Sequence, residues 1–443
     1  MEAHQVSHSV LVACPDARPP AYQAVIGLAR AGLLDGFATA AYYDPDGPLS
    51  TLARRLLGSR FARWERVLSR RHAPEIPAER VHASPWVDVL LQVESRLAAR
   101  RPALRWRVAR ARTEEFDRRL GRLASRRRPG ALLAFSDVAS GITLPLCRRL
   151  GIPTVLSMVH GDVREEAKVL AREAATSAEF FSLYLGDGAL DRAELDWLHR
   201  RRLRDLELAD RILVPSEHIA ATLIAQRTPA GKLRIIPYAA DSRRFQPVEK
   251  SPDDPGCVFL FAGGITQRKG ISYLLRAWSL IRREGWKLRL LGPLPSRLGP
   301  LEPLLKDVEL LGRVGHAEVP ARMAAADVFV FPSLFEGSAV VTYEALACGL
   351  PSIVTPAAGS VVRDGIEGFE VPPGDVAALA DRMERLGTNP ALRRHMARAA
   401  RARALEFDWP RYHAEVAAAF EGLGPQAHRP EPVGSSSPQL ARV

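Results

Sequence analysis

Short apolar runs alternate with helix-length amphipathic stretches along most of this chain, and that alternation narrows the possible folds more than any other feature. The runs at residues 9–13, 37–43, 131–135, 153–158, 211–214 and 233–236 are four to seven residues long, the length of strands rather than of buried helices. Apolar at consecutive positions, they suit parallel strands covered on both faces. Between them, residues 22–31 read as a helix stopped at Gly32, further helices run up to Leu150 and over 201–210, and Ser216 reads as an N-cap. A second series of runs occupies 257–262, 286–291, 308–311, 328–331, 351–355 and 368–371, with helices over 271–284, 319–325, 375–386 and 390–407. The expected fold is α/β, with two doubly wound, Rossmann-like domains facing a central cleft.

A polar stretch over 241–256, containing Pro247, Pro252 and Pro255, has the composition of a linker. It sets a first, acceptor-side domain at 1–247 and a second at 256–407. The segment 408–423 holds a last helix, read over 409–423. The tail 424–443, rich in proline, serine and glycine, reads as disordered. The first domain carries an arginine-rich helical insertion at about 50–128. That segment has 21 arginines, no lysine and 8 acidic residues, so its charge of +13 exceeds the +12 of the whole chain. A solvated helical face in an arginine-biased sequence is one reading, and peripheral contact with anionic lipid is another. No nucleic-acid module accompanies the arginines, so no nucleic-acid partner is expected.

No apolar run reaches the roughly 18 residues of a membrane span, and the start of the sequence lacks the basic and apolar regions of a signal peptide. Cys14, Cys147, Cys257 and Cys348 are scattered, without metal-type spacing, and read as reduced core thiols of a cytoplasmic protein.

Glu336 stands just past the run at 328–331, at a strand's carboxyl end, where open α/β sheets bind ligands. Glu344 follows eight positions later, on a helix stopped by Gly349 and Pro351. Between them, Gly337, Ser338, Ala339 and Val340 form a loop-to-helix junction whose backbone N–H groups suit a phosphate. Carboxylates accept hydrogen bonds from sugar hydroxyls, so one on each side of a diphosphate describes a site for a nucleotide-sugar. A surface glutamate plus an ordinary first-turn glutamate would look the same in isolation. Gly263 and Gly264 follow the run at 257–262 and lead to Arg268 and Lys269. Glycine allows close backbone approach, and paired cations would stabilise a departing diphosphate; a turn with two solvated cations is the alternative. His160 also follows a strand-like run and could bond a sugar or polarise a reacting group, or be structural. Asp44, Asp46 and Gly47 read as a turn, so no metal is expected.

Taken in order, these pieces resemble the family 4 (group 1) glycosyltransferases, which have the GT-B fold. The resemblance runs from about Ala131 to Tyr412. Besides Glu336 and Glu344 it includes residues 208–216, 235–241 with Phe245 and Pro247, 312–316 and 357–365. It implies that Glu336 meets donor-sugar hydroxyls and Glu344 the nucleotide ribose. Ser338, Ala339 and Val340 would present backbone to the sugar and phosphates, Lys269 and Arg268 would meet the diphosphate, and His160 would face the donor sugar. Glu336, Lys269, Arg268 and His160 are then the candidate catalytic residues; Glu344, Gly263, Gly264 and 337–340 bind the donor. The chain departs from the family at Gly264, where many members have arginine, which shifts phosphate load to Arg268. It also lacks the usual glycine-rich loop after the first strand, and Ser338 and Ala339 replace more frequent residues beside the sugar.

The resemblance implies a metal-independent, retaining transferase that moves a sugar from a UDP- or GDP-sugar to a glycan or lipid-linked acceptor. The setting would be cell-surface polysaccharide synthesis at the cytoplasmic face of the membrane, with the nucleotide-sugar donor as co-substrate and no cofactor. The family's C-terminal helix commonly crosses back onto the first domain. A sugar-nucleotide epimerase of the same fold and a non-catalytic membrane-surface protein are the alternatives.

Overall fold

The computed structural model describes residues 9–16, 18–58, 61, 65, 68–97, 102–185, 192–249, 256–296 and 298–424. Arg63, Arg66, Arg100 and Arg101 of the basic segment, Pro252 and Pro255 of the linker, and the tail beyond Gly424 lie outside the described residues.

Two parallel sheets organise the chain. The first has seven strands: β1 (Val10–Ala13), β2 (Leu34–Thr39), β3 (Val81–Ala83), β4 (Ala131–Phe135), β5 (Thr154–Ser157), β6 (Arg211–Val214) and β7 (Leu233–Ile235), in the order β3-β2-β1-β4-β5-β6-β7. The second has six: β8 (Cys257–Ala262), β9 (Trp286–Leu291), β10 (Val308–Gly312), β11 (Val328–Phe331), β12 (Ser352–Val354) and β13 (Gly368–Glu370), in the order β10-β9-β8-β11-β12-β13. Each order runs outward both ways from its first strand. The crevices between β1 and β4 and between β8 and β11 are therefore the switch points where such sheets open toward ligands. Both faces of the first sheet are covered. Along β1, Leu11 and Ala13 pack with Phe116, Leu120 and Leu132 on one side, while Val10 and Val12 join the other core with Val25, Phe37 and Leu133. A strand buried on both sides has no polar positions to alternate, which is why its sequence is continuously apolar.

The arginine-rich segment is partly woven into these layers. β3 is an edge strand within it, and Phe116, Leu120 and Ala124 of the helix Pro102–Arg127 are buried against the first sheet. That helix packs along the helix Pro85–Leu97. Many of its arginines meet carboxylates: Arg112 with Glu94 at 2.9 Å, Arg119 with Glu115 at 2.6 Å and Arg127 with Asp35 at 2.7 Å. β3 is short and half-exposed, so its sequence has no strand-like run. The helix Val163–Thr176, capped by the Asp162 side chain at the Arg164 N–H, is likewise absent from the sequence pattern, and the helix Arg192–Leu208 begins well before the expected 201.

The last helix, Trp409–Ala418, is shorter than the expected 409–423 and packs on the helix Pro19–Arg30 of the first domain. Tyr412 donates to the Pro20 carbonyl at 3.2 Å, and a His413 ring nitrogen lies 2.7 Å from the Gln23 amide oxygen. The chain thus enters the second domain near 241–249 and leaves it near Phe407. Arg401 ties the exit to the entry by donating to the carbonyls of Phe245 (2.9 Å) and Ser242 (3.1 Å). All four cysteines are buried, and none of them forms a disulfide among the described residues. No described helix is long and apolar enough to cross a membrane.

Candidate active site between the two domains

The carboxyl ends of β8 and β11, which flank the second switch point, bring the predicted cations and the first glutamate together. Lys269 donates to Glu336 at 2.7 Å, and Arg268 reaches the same oxygen at 3.5 Å. Lys269 also sits over the Phe331 ring, 4.8 Å from its centre. Burial opposes ionisation of Glu336 more strongly than any other single influence. The charges of Lys269 and Arg268 together outweigh it and hold the carboxyl below its ordinary range. Burial pulls the Lys269 ammonium down, with Glu336 resisting. Gly263, at φ +146°, and Gly264 lie in the same loop, Gly263 beneath the Lys269 side chain.

After Glu336 the chain presses on the first domain. A Cβ at Gly337 would stand 2.1 Å from the Val159 carbonyl oxygen, so only glycine lets the strand end that carries His160 come this close. The Gly337 carbonyl accepts from the Ser216 hydroxyl at 3.0 Å. Ser338 is buried and donates its hydroxyl to the Gly359 carbonyl at 2.7 Å. One expectation needs correction here. The Ala339 N–H is committed to the Ala358 carbonyl at 3.0 Å, so it is not free for a phosphate. The helix Val340–Ala347 nonetheless starts without a side-chain cap, because Ala339 has no oxygen to offer. Glu344 lies on that helix; burial pushes its carboxyl up to about 7, with Arg244 opposing.

His160 faces this group from the first domain. Its Nε2 lies 3.0 Å from Asp137 Oδ2 and 3.2 Å from Ser136 Oγ. A carboxylate can only accept, so Nε2 carries the proton and Nδ1 has the lone pair. Burial, and then the Arg202 charge, lower the imidazole pKa against the pull of Asp137. Asp137 follows β4 at the first switch point with φ +80°, unusual for a residue with a side chain. It is held there from several directions. Arg202 Nε donates to its carboxylate at 2.9 Å, its N–H donates to Asp205 at 2.8 Å, and Arg201 donates to its carbonyl at 3.2 Å. Arg202 also reaches Glu166 at 3.2 Å.

The domains are joined behind the basic loop. The N–H groups of Gln267 and Arg268 donate to the carbonyls of Leu183 (2.9 Å) and Tyr184 (3.1 Å). Buried Glu173 accepts from Gln267 Nε2 and from the Tyr273 hydroxyl, each at 2.7 Å. A cavity of about 320 Å³ beside this junction is lined by Arg172, Glu173, Tyr273 and Arg276. Among the described residues, no group of three or more His, Cys, Asp or Glu side chains is arranged to hold a metal ion.

The sequence reading missed Asp137, Arg202, Glu166 and Tyr184. Asp137 follows the apolar run at 131–135, and the strand-end rule that selected His160 would have selected it too. Arg202 sits among arginines and looks like a solvated helix face.

Residues 65–244 match the model of Glycosyltransferase Family 4, and residues 256–389 match that of the Glycosyl transferases group 1. The D-inositol 3-phosphate glycosyltransferase of Pseudarthrobacter chlorophenolicus is 31% identical over 259 residues, which is 51% of this chain and 62% of that protein. The MMP alpha-(1->4)-mannosyltransferase of Mycolicibacterium hassiacum is 26% identical over 71% of this chain and 76% of its own length. The match to the first of these relatives spans less than two-thirds of its length. Among solved structures, sucrose-phosphate synthase from Thermosynechococcus elongatus superposes with a TM-score of 0.64 at 19% identity, covering 94% of this chain and 98% of that one, so the two share the GT-B fold. With a family model on each sheet's domain and this fold beneath them, the chain belongs to the family 4, group 1 glycosyltransferases.

Proposed function

We propose that this protein transfers a sugar from a nucleotide-diphosphate sugar to an acceptor hydroxyl, the donor resting on the second domain and the acceptor entering from the first. The observation that carries the reading is the Lys269–Glu336 pair. These opposite charges are largely removed from water and stand at the ends of the two strands that flank a switch point. A diphosphate would draw Lys269 and Arg268 to itself and release Glu336 to accept hydrogen bonds from sugar hydroxyls. The uncapped start of the helix Val340–Ala347 would face the same phosphates, and Glu344 the ribose. As the bond from the anomeric carbon to the diphosphate breaks, the two cations stabilise the charge left on the leaving group. The acceptor oxygen forms the new bond on the same face of the sugar, and its proton goes to the departing phosphate. No metal is required in this scheme.

Both relatives named above are called transferases, which supports transfer over epimerisation. A lipid-linked or glycan acceptor of a surface polysaccharide suits the outer face of the first domain. There the helix Pro48–Leu57 exposes Leu52, Leu56 and Leu57 beside Arg55, and Trp86 is exposed on the next long helix. Such a face suits an anionic membrane surface.

The test is a thermal-shift and calorimetric panel of UDP-, GDP- and ADP-sugars with and without EDTA. One nucleotide series should stabilise the protein, by about 2.7 kcal/mol at a hundredfold excess over Kd, and EDTA should not change the result. Indifference to every nucleotide would overturn the reading.

A further inference from the structure

Tyr184 is fully buried, yet its hydroxyl has no hydrogen-bond partner among the described residues. Native proteins rarely leave a buried polar group in that condition, because it has given up water for nothing. The position of the residue indicates what is missing. Tyr184 lies just after the short helix Ala178–Phe181, and its carbonyl accepts the N–H of Arg268 at 3.1 Å, which fixes it against the basic loop. The charges that act on its phenol come from both walls of the cleft: Glu166 and Glu173 from the first domain, Arg268 and Glu336 from the second. Burial raises the phenol well above its ordinary value, so it remains an O–H donor.

The first domain holds a second atom in this condition. His160 Nδ1 is also buried without a partner among the described residues, while Nε2 is committed to Asp137. One side chain therefore lacks an acceptor and the other lacks a donor. Sugar hydroxyls can serve in either role.

We propose that Tyr184 is a substrate-positioning residue whose hydroxyl donates a hydrogen bond to the transferred sugar, at a ring hydroxyl turned toward the first domain. The proposal rests on the donor-site reading above and narrows it. The sugar keeps a hydroxyl at that position, and a donor deoxygenated there would leave Tyr184 unpaired and be discriminated against.

The test compares wild type with Tyr184→Phe, using whichever of UDP-glucose, GDP-mannose and ADP-glucose the wild type binds, alongside the corresponding bare nucleoside diphosphate. Calorimetry should show affinity for the nucleotide-sugar reduced about tenfold and affinity for the bare diphosphate unchanged. The Tm should be unchanged or raised, since the substitution removes an unpaired polar atom from a buried position. Equal nucleotide-sugar affinity in the two proteins would overturn the proposal. So would a variant with lowered Tm that loses affinity for the bare diphosphate and the sugar nucleotide alike, since the hydroxyl would then be supporting the fold. A wild type that binds none of the nucleotides overturns the donor-site reading itself, and Tyr184's role with it; that outcome is visible before any variant is made.

Discussion

The two walls of the cleft hold their charges in opposite ways. On the second domain, Lys269 and Arg268 both lean on one oxygen of Glu336, at 2.7 and 3.5 Å. On the first, Asp117 and Asp137 are surrounded. Asp117 accepts from the N–H groups of Gly141 (2.9 Å), Ile142 (3.1 Å) and Thr143 (2.9 Å), from the Thr143 hydroxyl (2.8 Å) and from Arg201 (3.1 Å). Asp137 is enclosed in the same manner by His160 and Arg202. A buried charge whose bonds are all internal fixes the backbone around it. One with a sparse set of partners retains capacity for a ligand.

That contrast can be broken experimentally. Asp117→Ala leaves Arg201 and three backbone N–H groups without their acceptor, and should cost about 3–5 kcal/mol in urea unfolding. Glu336→Ala should do the reverse. Turnover should fall about 10²–10³-fold, the scale of losing a group that stabilises a transition state, while the unfolding free energy falls by less than in Asp117→Ala, about 1–3 kcal/mol, because Lys269 loses its partner but can release its proton. A stable Asp117→Ala protein, or an unfolded Glu336→Ala protein, would erase the distinction between the walls.

The next effect sharpens it through pH. The carboxyls of Glu344 and Asp205 are both pushed up to about 7 by burial, from ordinary values of 4.5 and 3.8. The folded state therefore holds protons that the unfolded chain has already released. The associated stability is fully present below the unfolded values and is lost as pH rises through about 7. Urea midpoints should decline between pH 5 and pH 8, and Glu344→Gln should flatten the decline by on the order of 1–3 kcal/mol. An unchanged slope in that variant would mean that Glu344 ionises freely in the folded protein. The smallest effect belongs to the arginine-rich surface. Arg110 and Glu114, 2.8 Å apart on a helix exterior with side chains 54% and 39% exposed, should show a coupling of about 0.5 kcal/mol or less in a double-mutant cycle.

Much of the candidate site was legible in the sequence because its residues stand at strand ends, and the strands announce themselves as apolar runs. That rule offers Glu336, Lys269 and His160 as candidates, and the structure brings the first two into contact. The rest depends on pairings that no local pattern encodes. Arg202 meets Asp137 across 65 positions, and Gln267 meets Glu173 across 94. The helix that carries Glu166 and Glu173 was not read at all. Tyr184 follows no strand and belongs to no motif, and its significance lies in a bond it does not make. Even the misjudged Ala339 is instructive: its N–H is taken by Ala358, which lies beyond β12 and reaches the junction only through the fold.

The Arg401 bonds to Phe245 and Ser242 have a mechanical consequence. The second domain is joined to the first by two crossings of the chain, one entering and one leaving, and that arginine pins them side by side. A body attached at a single point can swivel about it in any direction. A body attached along a short line has one easy rotation, about that line, and resists twisting out of it. Any opening of the cleft would then follow one repeatable arc, and closure would return Glu336 and Lys269 to the same place opposite His160.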